Sequence, residues 1–145
     1  MAKKRIRPIV ICLFWHDGRI LVEIQPDSVK GDWFCRPLGG AIEFGEDSRT
    51  ALVREIQEEL GVEIENVRLL GVLENLFVYE GQPGHEIVFV YDAAFVDQSL
   101  YQQETIQAYE HGNSSHFTAQ WQSLAQITES NIRLVPEGLL ALLTG

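Results

Sequence analysis

The segment from Gly40 to Val62 constrains the fold and the chemistry of this chain more than any other stretch. Within it, apolar residues recur every four positions, at Leu52, Ile56 and Leu60, as on one face of an amphipathic helix. Gly45–Ser48 brings a candidate cap and acidic residues to the helix start, where the helix dipole favours them. Gly61 stands where helices commonly stop. We therefore predict a helix that begins within Gly45–Ser48, ends near Leu60 and packs on a core through one face.

Three glutamates project from one side of this helix: Glu55, Glu58 and Glu59. Like charges at these spacings repel by roughly a few tenths of a kcal/mol, and a solvated helix face usually relieves this with lysines. This helix has no lysine, and its cations are Arg49 and Arg54. Glu59 borders the apolar stripe, with Glu55 next and Glu58 farther round. The residues alone leave two interpretations open, a site for a hard divalent cation and a solvated acidic face.

Two glycines, Gly39 and Gly40, precede the helix and allow a backbone group to approach a ligand closely. From Gly40 onward the spacing reproduces the Nudix box without a mismatch: Gly40, Glu46, Arg54, Glu55, Ile56, Glu58, Glu59, Gly61 and Val62. Seven fixed identities and two aliphatic positions at that spacing arise by chance less than about once in a million chains of this length. The chain therefore resembles the Nudix hydrolases, most specifically over the 23 residues of the box.

The resemblance implies an α/β/α sandwich and a hydrolase that cleaves a phosphoanhydride bond in a nucleoside diphosphate linked to another group. Nucleoside triphosphates, dinucleoside polyphosphates and nucleotide sugars belong to that substrate class. The resemblance also implies Mg²⁺ or Mn²⁺ as the cofactor, and it adds a homodimer as one expected assembly. The alternative is a non-catalytic nucleotide-binding or regulatory module of Nudix fold, against which the intact box argues.

The resemblance also assigns residues to the metal. Glu55, Glu58 and Glu59 match the helix carboxylates that bind it, and Gly39 matches the position whose backbone carbonyl completes the coordination. A divalent cation at such a site withdraws charge from phosphoryl oxygens and lowers the pKa of water. Metal binding by these four residues is the first site prediction.

The catalytic residues carried over from the family are Arg54, which orients the box carboxylates with Glu46 as its partner, and a carboxylate that accepts the proton of the attacking water. That carboxylate is either a box glutamate, Glu55 or Glu58, or a glutamate of a later loop. In the segment Asp97–Asn113 the candidates are Glu104, which we prefer, and Glu110. Solvated loop carboxylates are the alternative interpretation of these last two.

Two residues outside the box are candidates for substrate binding. Arg36 precedes the glycine pair and is interpreted either as a phosphate ligand or as part of a surface salt bridge. Tyr79 lies 17 residues after the box, near the position of a base-stacking tyrosine in dinucleoside polyphosphate hydrolases, with ordinary strand packing as the alternative. The pair His85-Glu86 opens a predicted strand and either faces the cleft or ends the strand.

The rest of the sequence predicts a mixed sheet with helices against it, of α/β (α+β) class. Predicted strands are Ile9–Trp15, Arg19–Gln25, Ala41–Phe44, Val67–Tyr79, Ile87–Val96 and Phe117–Trp121, with a closing helix at Pro136–Leu143. A short apolar segment, Trp33–Gly40, leads into the glycine pair. The polar segment Asp97–Asn113 is interpreted as a loop carrying a short helix. Because no linker or repeat interrupts 145 residues, we expect residues 1–145 to form a single Nudix domain.

The formal charge of −10 excludes broad phosphate neutralisation of nucleic acid and docking on an anionic membrane, because both need a basic surface. The two cysteines, Cys12 and Cys35, form no disulfide framework and are interpreted as small buried hydrophobic residues. The apolar run behind the basic start is too short for a membrane span. We therefore expect a cytoplasmic protein, and an anionic substrate would need a metal cation between itself and the acidic chain.

Overall fold

Strand β1 (Arg7–Leu13) is buried on both of its faces from Ile9 to Leu13. The computed structural model describes residues 4–109 and 115–144. In it, Val10 and Cys12 face one layer of the core, while Ile9, Ile11 and Leu13 face the other. Burial on both faces explains why this strand is a near-continuous apolar run rather than an alternating one.

The other strands are β2 (Trp15–His16), β3 (Arg19–Asp27), β4 (Asp32–Ala41), β5 (Ile64–Tyr79), β6 (Gln82–Phe95), β7 (Thr105–Tyr109), β8 (His116–Ser123) and β9 (Arg133–Leu134). Within the described residues the main path of the sheet runs β5-β6-β1-β4-β3-β8-β7. β1 is parallel to β6 and antiparallel to β4. β4 pairs with β3 along its first part and with β1 along its last part, so it joins the two halves of the sheet.

Helix α1 (Ser48–Leu60) covers one face of the sheet. Leu52 and Ile56 are fully buried in the core that this helix shares with β1 and β4. The Asp47 carboxylate caps the helix by accepting a hydrogen bond from the Thr50 amide at 2.8 Å. The helix ends at Gly61, which adopts the left-handed conformation that favours glycine (φ 69°). The predicted helix and both of its ends are confirmed.

The opposite face is covered by the two short helices α2 (Leu124–Glu129) and α3 (Leu139–Thr144). Leu139 packs against Ile9, Ile11 and Leu13 of β1, and Ile127 packs against residues of β3 and β4. Helices therefore lie on both faces of a mixed sheet, and the predicted fold class is confirmed. α2 and β9 have no counterpart among the predicted elements.

Two local predictions are wrong. Of the predicted strand Ala41–Phe44, only Ala41 belongs to a strand, because the chain turns at Glu43 and the Glu46 amide donates to the Glu43 carbonyl. The polar segment Asp97–Asn113 contains the predicted short helix, a 3-10 turn at Gln98–Gln102, but it also contains β7. In β7 only two of five residues are buried, so the apolar pattern is too short to predict a strand. The end of that segment, with Glu110, lies outside the described residues.

Both cysteines are buried in the core as free thiols, as predicted. Burial raises the pKa of Cys12 well above its ordinary value and that of Cys35 to about 12. Neither thiol is therefore activated as a nucleophile at neutral pH. Throughout 4–109 and 115–144, no helix combines the length and the apolar character needed to cross a membrane.

Candidate functional site

Helix α1 places two of its glutamates at the border of the core. Glu55 is 4% exposed and Glu59 is 7% exposed, whereas the Glu58 side chain remains 32% exposed. This gradient follows from the helix geometry, because Glu55 and Glu59 lie nearer than Glu58 to the apolar stripe. A merely solvated face would not bury two carboxylates, since burying a charged group is costly unless it is compensated. The burial therefore favours a functional interpretation of the acidic helix.

Arg54 holds the loop and the helix of this segment together. Its guanidinium contacts Glu46 through Nε at 3.1 Å and through Nη2 at 2.5 Å. Nη1 donates to Oε1 of Glu55 at 3.0 Å and to Oε2 of Glu58 at 3.3 Å. Nη2 also donates to the Ala41 carbonyl at 3.0 Å. One side chain thus fixes the end of β4, the box loop and two helix carboxylates relative to one another.

Gly40 leaves the space that the Glu55 carboxyl group occupies. A Cβ at position 40 would lie 2.6 Å from Oε1 of Glu55 and closer still to the other carboxyl atoms. Position 39 is more severely restricted, because a Cβ there would overlap the Val10 carbonyl oxygen, a backbone atom of β1. The two glycines are therefore required by close approach on both sides of β4, one for a carboxylate and the other for a backbone.

The donors at this site fit a hard divalent cation in their chemistry. Carboxylate and backbone carbonyl oxygens are the ligands that Mg²⁺ and Mn²⁺ prefer. The space that Gly40 leaves open, called here the Gly40 cradle, holds the carboxyl group of Glu55 beside β4, next to Gly39. Among the described residues, no group of three or more His, Cys, Asp and Glu side chains is arranged as a ready-made metal site. Arg54 is the cation that holds Glu55 and Glu58 in this structure.

Glu46 is held in its ionised form. Hydrogen bonds from the Arg54 guanidinium and from the Glu43 amide lower the pKa of Glu46 from 4.5 to about 2. The same contact with Glu46 raises the pKa of Arg54 further above its ordinary value. The pair therefore stays charged at neutral pH and well below it.

We expect Glu46→Gln to lower the melting temperature above pH 4.5, and the difference from wild type to shrink as the pH falls towards 2. A carboxyl group whose folded pKa is depressed stabilises the fold above its unfolded pKa, and this contribution is lost as the pH falls through the folded value. Thermal unfolding of both proteins from neutral pH to pH 2 measures it. Glu63→Gln, at an exposed position outside the box, is the control. A difference that stays constant with pH would contradict the assignment.

A cleft of about 810 Å³ lies between the end of the β5–β6 hairpin, the start of β4 and the segment after β9. Arg36 and Tyr79, the two residues proposed from the sequence for substrate binding, both line it. Arg36 forms no ion pair in the described part of the chain, so its guanidinium is available to an anion. The Tyr79 ring contacts Phe34 edge to face, with 5.5 Å between centroids. The structure thus brings the two together in one cavity.

The cleft also contains cations that the sequence did not single out. Arg133 is held by a two-pronged contact with Asp32, at 2.8 and 3.0 Å, and lies over the Phe34 ring at 5.7 Å. Lys30 donates to the Val78 carbonyl and ties the β3–β4 loop to the hairpin. Arg133 is about a hundred residues from its partner in sequence, and no local pattern could have revealed it.

Glu104, the candidate proton acceptor outside the box, is less buried than the box glutamates Glu55 and Glu59. Glu104 is exposed and directly precedes β7, and its carbonyl accepts a hydrogen bond from the Trp121 amide. β7 is one of the strands that pack against α1. The role of Glu104 as the proton acceptor stays a prediction.

Known proteins resemble this chain in sequence and in overall fold. The NUDIX domain model matches residues 4–143. A MutT NUDIX hydrolase from Burkholderia pseudomallei superimposes with a TM-score of 0.65 at 24% identity, over 96% of this chain and 97% of that one. The ORF135 protein of Escherichia coli superimposes with a TM-score of 0.57 at 26% identity, over 96% of this chain and 87% of that one.

Among curated proteins, the NAD-capped RNA hydrolase NudC of Mycobacterium tuberculosis is 37% identical over 67 residues, 46% of this chain and 21% of that protein. NudC of Pseudomonas putida is likewise 37% identical over 67 residues, 24% of its length. The chain thus spans about a fifth to a quarter of the length of these relatives. The match of the family model to nearly the whole chain, together with the box geometry, shows that this chain belongs to the NUDIX domain family of hydrolases.

Proposed function

We propose that the chain is a metal-dependent pyrophosphohydrolase that cleaves a phosphoanhydride bond in a nucleoside diphosphate linked to another group. The observation that carries this proposal is the arrangement of buried Glu55 in the Gly40 cradle, with Arg54 fixing it to Glu46 and Glu58. A purely structural helix would need neither buried carboxylates nor a glycine beside one of them. The intact set also argues against a non-catalytic module of the same fold.

Glu55, Glu58 and Glu59 and the Gly39 carbonyl are the residues that would hold Mg²⁺ or Mn²⁺. A divalent cation there supplies positive charge for the phosphoryl oxygens and makes water more acidic. The formal charge of −10 gives this cation a second role, because it would separate an anionic substrate from an acidic protein. We therefore expect the protein to bind its substrate weakly when divalent cations are removed.

Side chains of the protein would position the carboxylates, accept the proton of the attacking water and bind the substrate. Arg54 holds the carboxylates of Glu55 and Glu58 in place, and one of these, or Glu104, accepts the proton of the attacking water. In the cleft, Arg36 would contact a phosphate and Tyr79 would stack on a base. A cavity of about 810 Å³ is within the usual range for a small-molecule site.

The name NAD-capped RNA hydrolase fits the proposed substrate class, because NAD contains a diphosphate bridge. The match to that relative covers less than half of this chain, so its name supports the class of bond rather than a particular substrate. The acidic surface of this chain argues against broad RNA binding, since contacts to a phosphate backbone need basic residues. A small nucleotide is therefore the proposed substrate, and a cytoplasmic enzyme, alone or as a homodimer, is the proposed setting.

We expect the purified protein to hydrolyse at least one member of a panel of nucleoside triphosphates, dinucleoside polyphosphates and nucleotide sugars. The reaction is followed by released phosphate or pyrophosphate with Mg²⁺ or Mn²⁺, and in parallel with excess chelator. Hydrolysis that stops on chelation supports the proposal, because the carboxylate site needs its cation. Failure to hydrolyse any member, combined with measurable nucleotide binding, would favour the non-catalytic module.

A further inference from the structure

A row of three polar side chains crosses the wall of the cleft on three neighbouring strands. Glu86 on β6 is paired in register with Arg7 on β1 and with Asn75 on β5, and all three line the cleft. Nδ2 of Asn75 donates to Oε1 of Glu86 at 3.3 Å. Nη1 of Arg7 lies 3.8 Å from Oε2 of Glu86. Of the pair His85-Glu86 noted in the sequence, Glu86 is thus the member that faces the cleft.

Glu86 is a buried carboxylate in a largely apolar wall. It is 7% exposed, and Ile9, Ile11 and Phe77 line the same cavity. Its partner Arg7 is 52% exposed at 3.8 Å, which makes this a weak and solvent-screened ion pair. An ionised carboxylate offers about four acceptor positions, and the two contacts that the Glu86 carboxylate makes within residues 4–109 and 115–144 use only part of that capacity. A structural ion pair between Arg7 and Glu86 therefore does not by itself explain why Arg7, Glu86 and Asn75 lie together in the cleft wall.

We propose that Glu86, together with Asn75, reads the base of the bound nucleotide and selects guanine. This inference rests on the proposed function, because it places a nucleoside in the cleft. A carboxylate can only accept hydrogen bonds, and guanine presents two adjacent N–H donors, at N1 and at its 2-amino group. The second N–H of the Asn75 amide suits the neighbouring O6 acceptor of guanine.

The same wall disfavours the other bases. Adenine turns the acceptor N1 towards the carboxylate, which leaves two acceptors facing each other without a proton between them. Cytosine likewise presents the acceptor N3 beside its single amino group, and uracil has one N–H flanked by two carbonyl oxygens. Buried acceptors that lose their donors are costly, so the discrimination is expected to be about 10- to 100-fold. Hypoxanthine, which keeps N1–H but lacks the 2-amino group, should fall between guanine and adenine.

The test is calorimetric binding of GDP, IDP and ADP in the presence of Mg²⁺ to wild type, Glu86→Gln and Glu74→Gln. Glu74 precedes Asn75 on β5, is exposed and does not line the cleft, so it is a matched control for the chemical change. We expect wild type and Glu74→Gln to bind GDP about 10- to 100-fold more tightly than ADP. In Glu86→Gln the ratio of GDP to ADP affinity should fall to about 1. The neutral amide has one acceptor oxygen in place of two, and its NH₂ group can donate to adenine N1.

A merely structural role for Glu86 would weaken GDP and ADP binding equally and leave their ratio unchanged. Equal binding of GDP and ADP to wild type, or a preserved preference in Glu86→Gln, overturns the inference. The same nucleotides as triphosphates, assayed for turnover, separate it from the proposed function. Hydrolysis without base preference refutes base reading alone, whereas a GDP preference without any hydrolysis refutes the hydrolase alone.

Discussion

Replacing Glu55 with glutamine is expected to lower kcat for the hydrolysed nucleotide by about 10²- to 10⁴-fold. The substitution keeps the shape of the side chain, so the contact with Gly40 and the packing of α1 should survive. It removes the charge of a carboxylate that is 4% exposed and that faces Arg54 at 3.0 Å. Turnover at saturating substrate, together with calorimetric titration of Mg²⁺ alone, measures the loss of catalysis and of cation binding in one protein.

Two further variants make this result specific. Glu63→Gln lies just beyond the box at an exposed position and should retain activity and Mg²⁺ binding. Glu104→Gln should retain Mg²⁺ binding, and a loss of kcat in it would identify Glu104 as the proton acceptor. Unchanged turnover and unchanged Mg²⁺ affinity in Glu55→Gln would refute the metal assignment of the box.

The box and its helix could be predicted from the sequence because their information is local. The stripe through Leu52 and Ile56, the capping residue and the stop at Gly61 all lie within one short segment, and each constrains the same helix. The burial of Glu55 and Glu59 and the greater exposure of Glu58 follow from the same periodicity, whereas the slightly deeper burial of Glu55 than of Glu59 does not and goes with its contact beside Gly40. Local patterns failed where the chain leaves a strand early, at Ala41, because the Glu43–Glu46 turn depends on contacts with Arg54.

The cleft could be predicted only in part. The sequence indicates Arg36 through its place before the glycine pair and Tyr79 through its spacing from the box. The folding of the β5–β6 hairpin against the β3–β4 loop then brings them into one cavity. The Ser28 amide donates a hydrogen bond across that junction to the carboxylate of Glu80, fifty-two residues away. The Asp27 carboxylate accepts a hydrogen bond from the Glu80 amide. Arg133 reaches the same cavity because β9 pairs with β4 in parallel. Such long-range pairings leave no periodic pattern in the sequence.

Replacing Gly40 with alanine is expected to lower kcat by about 10²-fold while the protein stays folded. The new Cβ would lie 2.6 Å from Oε1 of Glu55, so the carboxyl group must leave its position beside β4. The atom that has to move is the end of a flexible side chain, and the expected destabilisation is therefore limited to about 1–3 kcal/mol. Turnover and thermal unfolding, measured on the same preparation, separate the displaced carboxylate from a damaged fold.

The neighbouring glycine provides the contrast that makes this prediction decisive. In Gly39→Ala the new Cβ would overlap the Val10 carbonyl oxygen, a backbone atom of β1 that cannot turn aside. That variant should lose stability first, whereas Gly40→Ala should lose activity first. Gly71→Ala also presses on a flexible side chain, with Leu142 Cδ2 at 2.9 Å, but Leu142 belongs to α3 on the face of the sheet opposite α1, so this variant should keep its activity. An active Gly40→Ala protein would mean that the position of the Glu55 carboxylate does not matter for turnover.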